Sequence, residues 1–397
     1  MKMGDSLKTL VIVTSSRAEY GLLRPVIIRF QNDPDIELKL VVTGTHLSEK
    51  YGMTVREIES DGVTIDARID IMGTSAELNA SAIMARALTQ FAEYYDKTKP
   101  DALMVLGDRY EIFAICAAAT NARIPIFHIH GGETTEGAVD EAFRHSITKM
   151  SYLHFTATER YRMRVIQLGE SPDRVYNVGA LGVENALNTE LMSKEELAES
   201  VMKSAVICNQ RYAIGTFHPV TLEDNSASDQ INELLKALGK HDDIFYIFTS
   251  ANADDGGDEV NRILKEYEAG HDNFVLVSSL GMRRYLSALK YAEFVIGNSS
   301  SGIIEAPSFR IPTINIGDRQ KGRIQADTVI NCGPEENAIS KAIDMALSDS
   351  FKGKIHDADN PYGNGETSEK IVKIAKDYLL NNKIDLKKRF YDVCTIE

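Results

Sequence analysis

Residues 297–305 read Gly-Asn-Ser-Ser-Ser-Gly-Ile-Ile-Glu; they follow the mostly apolar run 291–296 and precede Ala306-Pro307. An apolar strand that leads through small hydroxyl residues into a helix start is typical of an anion site. Backbone N–H groups in such a turn lack helical acceptors, and serine hydroxyls add further donors for a phosphate. Gly302 is expected to let a ligand approach the backbone. The segment taken alone is equally compatible with an ordinary strand-to-helix turn capped by serine.

The rest of the chain repeats this order of strand and helix. Short apolar strands are predicted at 9–14, 38–43, 102–106, 124–129, 153–156, 212–217, 245–249, 274–278, 294–296 and 313–316. Helical patterns lie between them, for example at 20–32, 76–98 and 110–121. Continuous apolar strands that alternate with helices are typical of parallel sheets covered on both faces. We therefore predict an α/β protein of two doubly wound, Rossmann-like domains, with the active site in the cleft between the domains.

The length of 397 residues also favours two domains over one core. A polar, charged segment with a helical pattern, 188–200, indicates a linker and places the first domain at 1–187. The second domain is predicted at 188–370. The final segment, 371–397, is predicted as a separate helix and tail whose last part is charged, with Phe390 and Tyr391 as possible anchors.

Composition narrows the classes of partner. The net charge of −14 argues against nucleic acid or an anionic membrane surface, but it allows a local basic pocket for an anion. We expect a cytoplasmic protein, because the sequence shows no run of about 18 apolar residues and no secretory signal pattern. The cysteines, Cys116, Cys208, Cys332 and Cys394, match no metal or redox spacing, and Cys116 is expected in the core. The acidic loop 252–259 does not have the spacing of a calcium loop, so no metal is predicted.

Polar side chains concentrate where the predicted strands end. They lie at 14–21, 107–111, 128–133, 217–219, 297–302 and 317–319. Several have ordinary explanations: Arg17 and Glu19 can form a surface pair, and Asp108 can cap a helix or pair with Arg109. His128 is expected in the wall of the strand, and His218 before Pro219 is a site or a structural histidine.

Two residues are harder to explain as structural. His130 lies nearer the strand end than His128, and Glu133 follows two glycines, which suggests a sharp turn that admits a close neighbour. Carboxylates at three strand ends of the first half would then face the serine loop and Arg319 of the second. Carboxylates can transfer protons, while hydroxyls, arginine and N–H groups can hold phosphate. A phosphorylated small molecule that reacts by proton transfer is therefore the leading class of substrate.

Six motifs occur in a fixed order along the chain. They are Ser16–Gly21, Val105–Glu111, His128–Glu133, Arg144–Met150, Gly297–Gly302 and Ile316–Gln320. Together they resemble the hydrolysing UDP-N-acetylglucosamine 2-epimerases, a family of bacterial sialic-acid pathway enzymes and of the epimerase domain of the animal bifunctional enzyme. The similarity runs from about Thr9 to Lys376. It implies a glycosyltransferase-B-type fold in which the last helix often packs back on the first domain.

The resemblance also implies roles for particular residues. UDP would be bound mostly by the second domain, and substrate or UDP contacts would come from Arg17, Glu19, Arg109, Ser299, Ser300, Ser301, Gly302, Glu305 and Arg319. Glu305 would bind the ribose, and the two arginines Arg17 and Arg319 would neutralise the diphosphate. The catalytic positions would be Asp108, Glu133, Asp140, His218 and His130. Some relatives have a glutamate where this chain has His130, so His130, Glu133 and Asp108 stay open as the base.

The implied reaction expels UDP from C1 while a base removes the C2 proton, and it then hydrates the resulting glycal to N-acetylmannosamine. No cofactor is needed, and a homodimer or homotetramer is implied. One alternative is the same chemistry on UDP-2,4-diacetamido-2,4,6-trideoxyglucose, and another is a glycosyltransferase that releases UDP only with an acceptor. A non-catalytic sensor is disfavoured, because carboxylates beside a bound anion would weaken simple binding.

Overall fold

The computed structural model describes residues 7–73, 79–135, 139–201, 209–219, 226–251 and 256–393. Contacts between residues divide the chain into two compact units. Unit 1 consists of Met1–Glu133, Asp140–Leu181 and Gly363–Glu397, and unit 2 consists of Thr134–Val139 and Gly182–Tyr362. The division falls before the predicted boundary at 187, because the helix Leu181–Asn188 groups with unit 2 from its second residue onward.

Unit 1 is built on a seven-stranded parallel sheet in the order β3-β2-β1-β4-β5-β6-β7. Its strands are β1 (Lys8–Thr14), β2 (Ile36–Thr43), β3 (Ala67–Ile69), β4 (Ala102–Leu106), β5 (Ile126–Ile129), β6 (Leu153–Thr156) and β7 (Val175–Asn177). Its first helices are α1 (Arg17–Gln31), α2 (Val55–Ser60), α3 (Ala80–Thr98), α4 (Tyr110–Asn121), α5 (Asp140–Met150) and α6 (Glu159–Gln167). Strands β4 and β5 are buried along their whole length, and His128 of β5 is their only polar residue, as expected of a parallel sheet covered on both faces.

Unit 2 contains a six-stranded parallel sheet in the order β10-β9-β8-β11-β12-β13. Its strands are β8 (Tyr212–Thr216), β9 (Phe245–Thr249), β10 (Phe274–Val277), β11 (Val295–Gly297), β12 (Thr313–Ile316) and β13 (Val329–Cys332). Its helices are α7 (Leu181–Asn188), α8 (Lys194–Ser200), α9 (Ser226–Gly239), α10 (Gly257–Gly270), α11 (Gly281–Tyr291), α12 (Ser301–Ile304), α13 (Glu336–Leu347) and α14 (Asp349–Ile355). Two doubly wound parallel sheets with alternating helices confirm the predicted fold class.

The last helix, α15 (Thr367–Leu380), belongs to unit 1 and packs against α1. Ile371, Ala375 and Leu379 enter the same apolar core as the buried side of α1. Polar contacts fix its position on α1, since Arg29 Nε donates to Ser368 Oγ at 2.8 Å and Lys376 Nζ lies 2.7 Å from Asp33. The chain thus returns to unit 1 after completing unit 2.

Three strands were missed in the sequence. They are β3 and β7, which form the two edges of the first sheet, and β13, which forms one edge of the second. Each has only three or four residues and is partly exposed, so its composition lacks the apolar run that marks a central strand.

Of the predicted loop 252–259, residues 252–255 lie outside the described ranges. None of the helices in the described ranges combines the length and apolar composition that a bilayer crossing requires.

Candidate active site

Both sheets reverse their strand order beside their first strand. In unit 1 the reversal lies between β1 and β4, and in unit 2 it lies between β8 and β11. In open parallel sheets such a switch point leaves a crevice at the carboxyl ends of the strands, where ligands bind. The predicted motifs 14–21 and 107–111 begin at the ends of β1 and β4, and the motifs 217–219 and 297–302 begin at the ends of β8 and β11. Each sheet therefore carries its polar motifs at its own switch point.

Four side chains, named here the Glu19 cluster, meet at the switch point of unit 1: Ser15, Glu19, Arg109 and Glu111. Ser15 Oγ lies 2.9 Å from Glu19 Oε2 and 2.8 Å from Glu111 Oε1, and the Ser15 N–H donates to Glu19 Oε2 at 2.6 Å. Arg109 Nε donates to Glu111 Oε1 at 2.5 Å. Burial raises the pKa of Glu19 to about 7; the negative charge of Glu111 adds to the rise, and Arg109 opposes it.

Asp108 is held by a different arginine from the one suggested by the sequence. Its carboxylate accepts from Arg144 Nη2, while Arg109 pairs with Glu111. The possible helix-capping role is also wrong, because Arg109 is the N-cap residue of α4. Arg144 is almost completely buried, and its Nη1 donates to Glu141 Oε2 at 2.5 Å and to the Glu133 carbonyl at 3.2 Å. One buried guanidinium thus connects two of the predicted acidic segments.

The turn after β5 brings His130 and Glu133 together. His130 has a φ of 65°, which is unusual for a residue with a Cβ, and its Nδ1 lies 3.8 Å from Glu133 Oε1. Both side chains are buried. Of the two glycines between them, Gly132 is needed for packing, since it has a φ of 78° and a Cβ on it would lie 2.5 Å from the Tyr161 carbonyl. The sharp turn predicted before Glu133 is therefore present.

The remaining histidine of this turn forms part of the wall. His128 is fully buried, and its Nε2 contacts the Gly107 carbonyl at 2.8 Å. Burial lowers its pKa to about 3, although the bond to Gly107 opposes that shift, so the ring is neutral at ordinary pH. This agrees with the wall position predicted for His128.

Two further predicted residues of the first half lie nearer the surface. Arg17 forms a half-exposed ion pair at 2.9 Å with Glu57, so its predicted role at a diphosphate stays a prediction. The predicted Arg17–Glu19 surface pair is not formed, because Glu19 is buried in its own cluster. Asp140 is the first residue of α5 and is half-buried, one turn ahead of Arg144.

The centre of the site in unit 2 is Asn298. Its Oδ1 accepts from the His218 N–H and its Nδ2 donates to the His218 carbonyl, both at 2.7 Å. The Asn298 carbonyl accepts from Arg319 Nη1 at 3.0 Å and from Gln320 Nε2 at 2.8 Å. One buried asparagine therefore fixes the backbone of His218 and the guanidinium of Arg319 beside the serine loop.

His218 is almost completely buried. Burial lowers its pKa to about 3, and the charge of Arg319 lowers it further. The imidazole is therefore neutral at ordinary pH and can donate one hydrogen bond without adding charge. Gly297 enters this loop with a φ of 132°, and a Cβ there would lie 2.0 Å from the Thr216 carbonyl, so only glycine fits.

The serine loop continues into α12, a helix of only four residues. In the described part of the chain, the N–H groups of Ser299 and Ser300 have no hydrogen-bond acceptor, whereas the Ser301 N–H reaches Ser299 Oγ at 3.4 Å. Ser301 Oγ contacts the hydroxyl of Tyr285. The donors that can serve a ligand are therefore concentrated at the first two serines.

Gly302 has a packing role, and its predicted role in letting a ligand approach the backbone stays a prediction. A Cβ on this residue would lie 2.8 Å from Thr313 Cγ2, so its absence allows α12 to pack against β12. Glu305, which is predicted to bind a ribose, is the residue that caps the end of α12. A Cβ on Gly182 would lie only 2.4 Å from Glu305 Oε1. Because Gly182 has no side chain, the Glu305 carboxylate can lie at this position.

Four residues that shape these sites were not predicted as site residues: Ser15, Glu111, Arg144 and Asn298. Each lies inside a motif that the sequence does show, but its partner is far away in the chain. The only signal was their position directly after an apolar strand or on the following helix.

Among the described residues, no group of three or more potential ligands is arranged to hold a metal ion. Cys116 is buried in the core, as predicted, and burial raises its thiol pKa.

Two Rossmann-like units with polar motifs at their switch points define a two-domain α/β protein of the glycosyltransferase-B type. Comparison with known proteins makes the assignment narrower. The chain belongs to the UDP-N-acetylglucosamine 2-epimerase family, whose model matches residues 28–376. The resemblance found in the six motifs is thereby confirmed at the level of this epimerase family.

Individual relatives extend over the whole chain. The "Polysialic acid biosynthesis protein P7" of Escherichia coli is 43% identical over 396 residues, which cover 98% of this chain and 99% of the relative. A Campylobacter jejuni protein named "GDP/UDP-N,N'-diacetylbacillosamine 2-epimerase (hydrolyzing)" is 38% identical, with 98% and 100% covered. The structure of the Neisseria meningitidis UDP-GlcNAc 2-epimerase bound to UDP-GlcNAc matches with a TM-score of 0.79 at 19% identity, covering 93% and 99%. That structural likeness supports the fold.

Proposed function

We propose that this protein is a hydrolysing UDP-N-acetylglucosamine 2-epimerase that produces N-acetylmannosamine and UDP for a sialic-acid-type pathway. The observation that carries the proposal is the group of donors at the switch point of unit 2. Asn298 holds Arg319 and His218 next to the Ser299 and Ser300 N–H groups. A cation, neutral donors and backbone N–H groups in one place suit a diphosphate.

The chemistry requires strong stabilisation of the leaving group. The C2 proton of the sugar is only weakly acidic, so departure of UDP from C1 must drive the bond breaking. Donors directed at the diphosphate oxygens are therefore the largest expected contribution to the rate. The neutral His218 can donate to a phosphate oxygen while Arg319 supplies charge.

Unit 1 would supply the proton transfers at C2. The carboxylates of Asp108 and Glu133 and the imidazole of His130 are each supported by described contacts, and each stays a candidate for the base. A positioned acid or base contributes about 10²–10⁴-fold, so these groups add to stabilisation of the leaving group and do not replace it. The proposal requires both groups of residues to act on one substrate molecule.

A second candidate substrate is supported by the Campylobacter relative. Its name refers to diacetylbacillosamine, which is a 2,4-diacetamido-2,4,6-trideoxy sugar, and its identity to this chain is 38%. The name of the E. coli relative, at 43% identity, refers to polysialic acid and supports the first candidate. The two substrates differ only around C4 and C6 of the sugar.

The test is incubation with each UDP-sugar in D2O, followed by NMR of the free sugar. We expect UDP and N-acetylmannosamine with deuterium at C2, because elimination and reprotonation exchange that position. Free N-acetylglucosamine that keeps its C2 proton would show simple hydrolysis. Turnover of the diacetamido sugar alone would establish the second candidate, and UDP release only with an added acceptor would indicate a glycosyltransferase.

Ser300→Ala should weaken UDP binding by about threefold to tenfold, the usual effect of losing one hydrogen bond to a charged group. The measurement is the Kd for UDP by calorimetry. Ser60→Ala is a matched control, because Ser60 is exposed at the end of α2 and its hydroxyl donates to the Glu57 carbonyl. An unchanged Kd in the Ser300 variant would count against diphosphate binding by this loop.

We also propose a homodimer or homotetramer, as in the family that the motifs resemble. Light scattering coupled to size-exclusion chromatography would measure the mass in solution. A mass of about twice or four times 44.0 kDa is expected, and a monomer mass would disprove the proposal.

A further inference from the structure

We propose that the Glu19 cluster holds a single proton shared between Glu19 and Glu111 through Ser15, and that this proton keeps the cluster neutral beside an anionic substrate. Ser15 and Glu19 are then positioning residues that act through Arg109. The effect on substrate binding rests on the proposed function, but the proton itself is a property of the folded chain.

The first argument is a count of hydrogens. Ser15 Oγ is within hydrogen-bond distance of both Glu19 Oε2 and Glu111 Oε1, at 2.9 and 2.8 Å. A serine hydroxyl has one hydrogen, so it can donate to only one carboxylate. The second contact is favourable only if the other carboxyl group carries a proton and donates it to the serine oxygen.

The second argument is burial. Glu19 and Glu111 are 5% and 2% exposed. In the ranges described by the structure, Glu19 Oε1 and Glu111 Oε2 are buried and have no hydrogen-bond partner. Two ionised carboxylates with unsatisfied oxygens at this separation would combine a desolvation penalty with like-charge repulsion. One proton removes both costs.

The surrounding charges place the proton on Glu19. Arg109 Nε donates to Glu111 Oε1, so the positive charge lies directly against Glu111 and leaves Glu19 as the carboxyl group that holds the proton. The charged groups that face Glu19 are Arg109 and Glu111; on its own helix, Arg17 instead pairs with Glu57. His46 lies in the turn after β2, and its Nε2 is 3.0 Å from Oγ1 of Thr14, the residue before Ser15. Burial lowers the pKa of His46 to about 4, so its ring is neutral at ordinary pH. The neutral Glu19, the anionic Glu111 and the cationic Arg109 sum to zero charge.

Loss of the proton would change the net charge of the cluster. The cluster would carry one net negative charge at the switch point of unit 1, and Arg109 would be drawn to two carboxylates. A UDP-sugar carries two negative charges, so it would be repelled. For charges separated by several ångströms near a protein surface we expect KM to rise by roughly tenfold, with a smaller change in kcat.

The decisive measurement is the thermal stability of the wild type and of Glu19→Gln between pH 5 and 8.5. Glutamine has the shape and the neutrality of the protonated acid. Because the native pKa of about 7 lies above the unfolded value of 4.5, the stability linked to this proton is fully present below about pH 4.5 and is lost as the pH rises to 7. The Tm of the wild type should therefore fall relative to the variant by about 2–3 °C between pH 5 and 7, and the difference should then change little up to pH 8.5.

Two further variants make the result specific. Glu93→Gln removes a carboxylate from the exposed face of α3 and should give a pH-independent Tm difference from the wild type. Glu111→Gln removes the negative charge that helps Glu19 to keep its proton. The pH-dependent Tm difference between Glu111→Gln and the double variant should therefore be smaller than the difference between the wild type and Glu19→Gln. A Tm difference between wild type and Glu19→Gln that does not change from pH 5 to 8 would overturn the shared proton.

Kinetics test the consequence separately. With the UDP-sugar that the protein hydrolyses, KM of the wild type should rise through pH 7, while KM of Glu19→Gln should not show this rise. An identical pH profile of KM in both proteins would overturn the effect on substrate binding. If no UDP-sugar is hydrolysed, the proposed function fails, but the stability measurement still decides whether the proton is present.

Discussion

Asp108→Asn is expected to lower kcat for UDP release from the UDP-sugar by about 10²–10⁴-fold, while UDP still binds. Asparagine keeps the shape of the side chain but cannot accept the C2 proton or hold a negative charge near it. UDP should still bind, because Arg319 and the Ser299 and Ser300 N–H groups, on which the proposed diphosphate site rests, lie in unit 2. Single-turnover rates and the Kd for UDP measure the two effects independently, and Glu133→Gln should behave similarly.

The ion pair with Arg144 requires a control. Asp108→Asn also removes one of the two carboxylates that pair with this buried guanidinium, and Glu141 keeps the other. Glu141→Gln removes that second carboxylate and leaves Asp108 in place. If loss of activity came only from displacement of Arg144, the two variants would lose kcat equally. Near-normal turnover in Asp108→Asn would show that Asp108 does not act in proton transfer.

Asn298→Ala is expected to lower the free energy of unfolding by about 2–5 kcal/mol and to weaken UDP binding at least about tenfold. The Asn298 side chain makes two hydrogen bonds of 2.7 Å with the backbone of His218, in a buried position. Its removal leaves a buried N–H and a buried carbonyl without partners, at a cost of about 1–3 kcal/mol each. The serine loop after β11, and Arg319 on the loop after β12, then lose their fixed relation to His218.

Asn315→Ala is the matched comparison for this variant. Asn315 is also buried, on the neighbouring strand β12, but its Nδ2 bonds to the side chain of Asn331 and not to backbone. Its loss should cost about 1 kcal/mol and leave the UDP Kd nearly unchanged. Chemical denaturation and calorimetry give both quantities. Equal UDP affinity in folded Asn298→Ala and wild type would mean that Asn298 does not position the diphosphate donors.

Much of the architecture could be predicted because its signals are local. Strand β4 at Ala102–Leu106 and helix α4 at Tyr110–Asn121 are found at their predicted bounds, since apolar runs and helical periodicity depend only on neighbouring residues. The short edge strands β3, β7 and β13 were missed for the same reason. These segments form strands because a neighbouring strand offers hydrogen bonds to them. Their own composition gives no sign that they are strands.

The site motifs were visible, but the partners of their side chains were not. Asp108 and Arg109 suggested a pair with each other, whereas the fold gives Asp108 to Arg144 and Arg109 to Glu111. Gly302 suggested access for a ligand, and the folded chain adds a packing reason for the glycine in Thr313 of the adjacent strand, which the sequence did not show. The contact between Asp108 and Arg144 joins residues 36 positions apart, which no local pattern encodes, and with Asp108 already paired, Arg109 turns to its close neighbour Glu111.

The amino-acid pattern alone was enough to establish two parallel α/β sheets, a family resemblance and the strand ends at which chemistry is expected. Burial and charge pairing came only from the folded chain. Glu19 could have formed a surface pair with Arg17, but folding buries it against Ser15, which also contacts Glu111. A pKa depends on the distance to other charges and to water, and those distances exist only after the two sheets have formed.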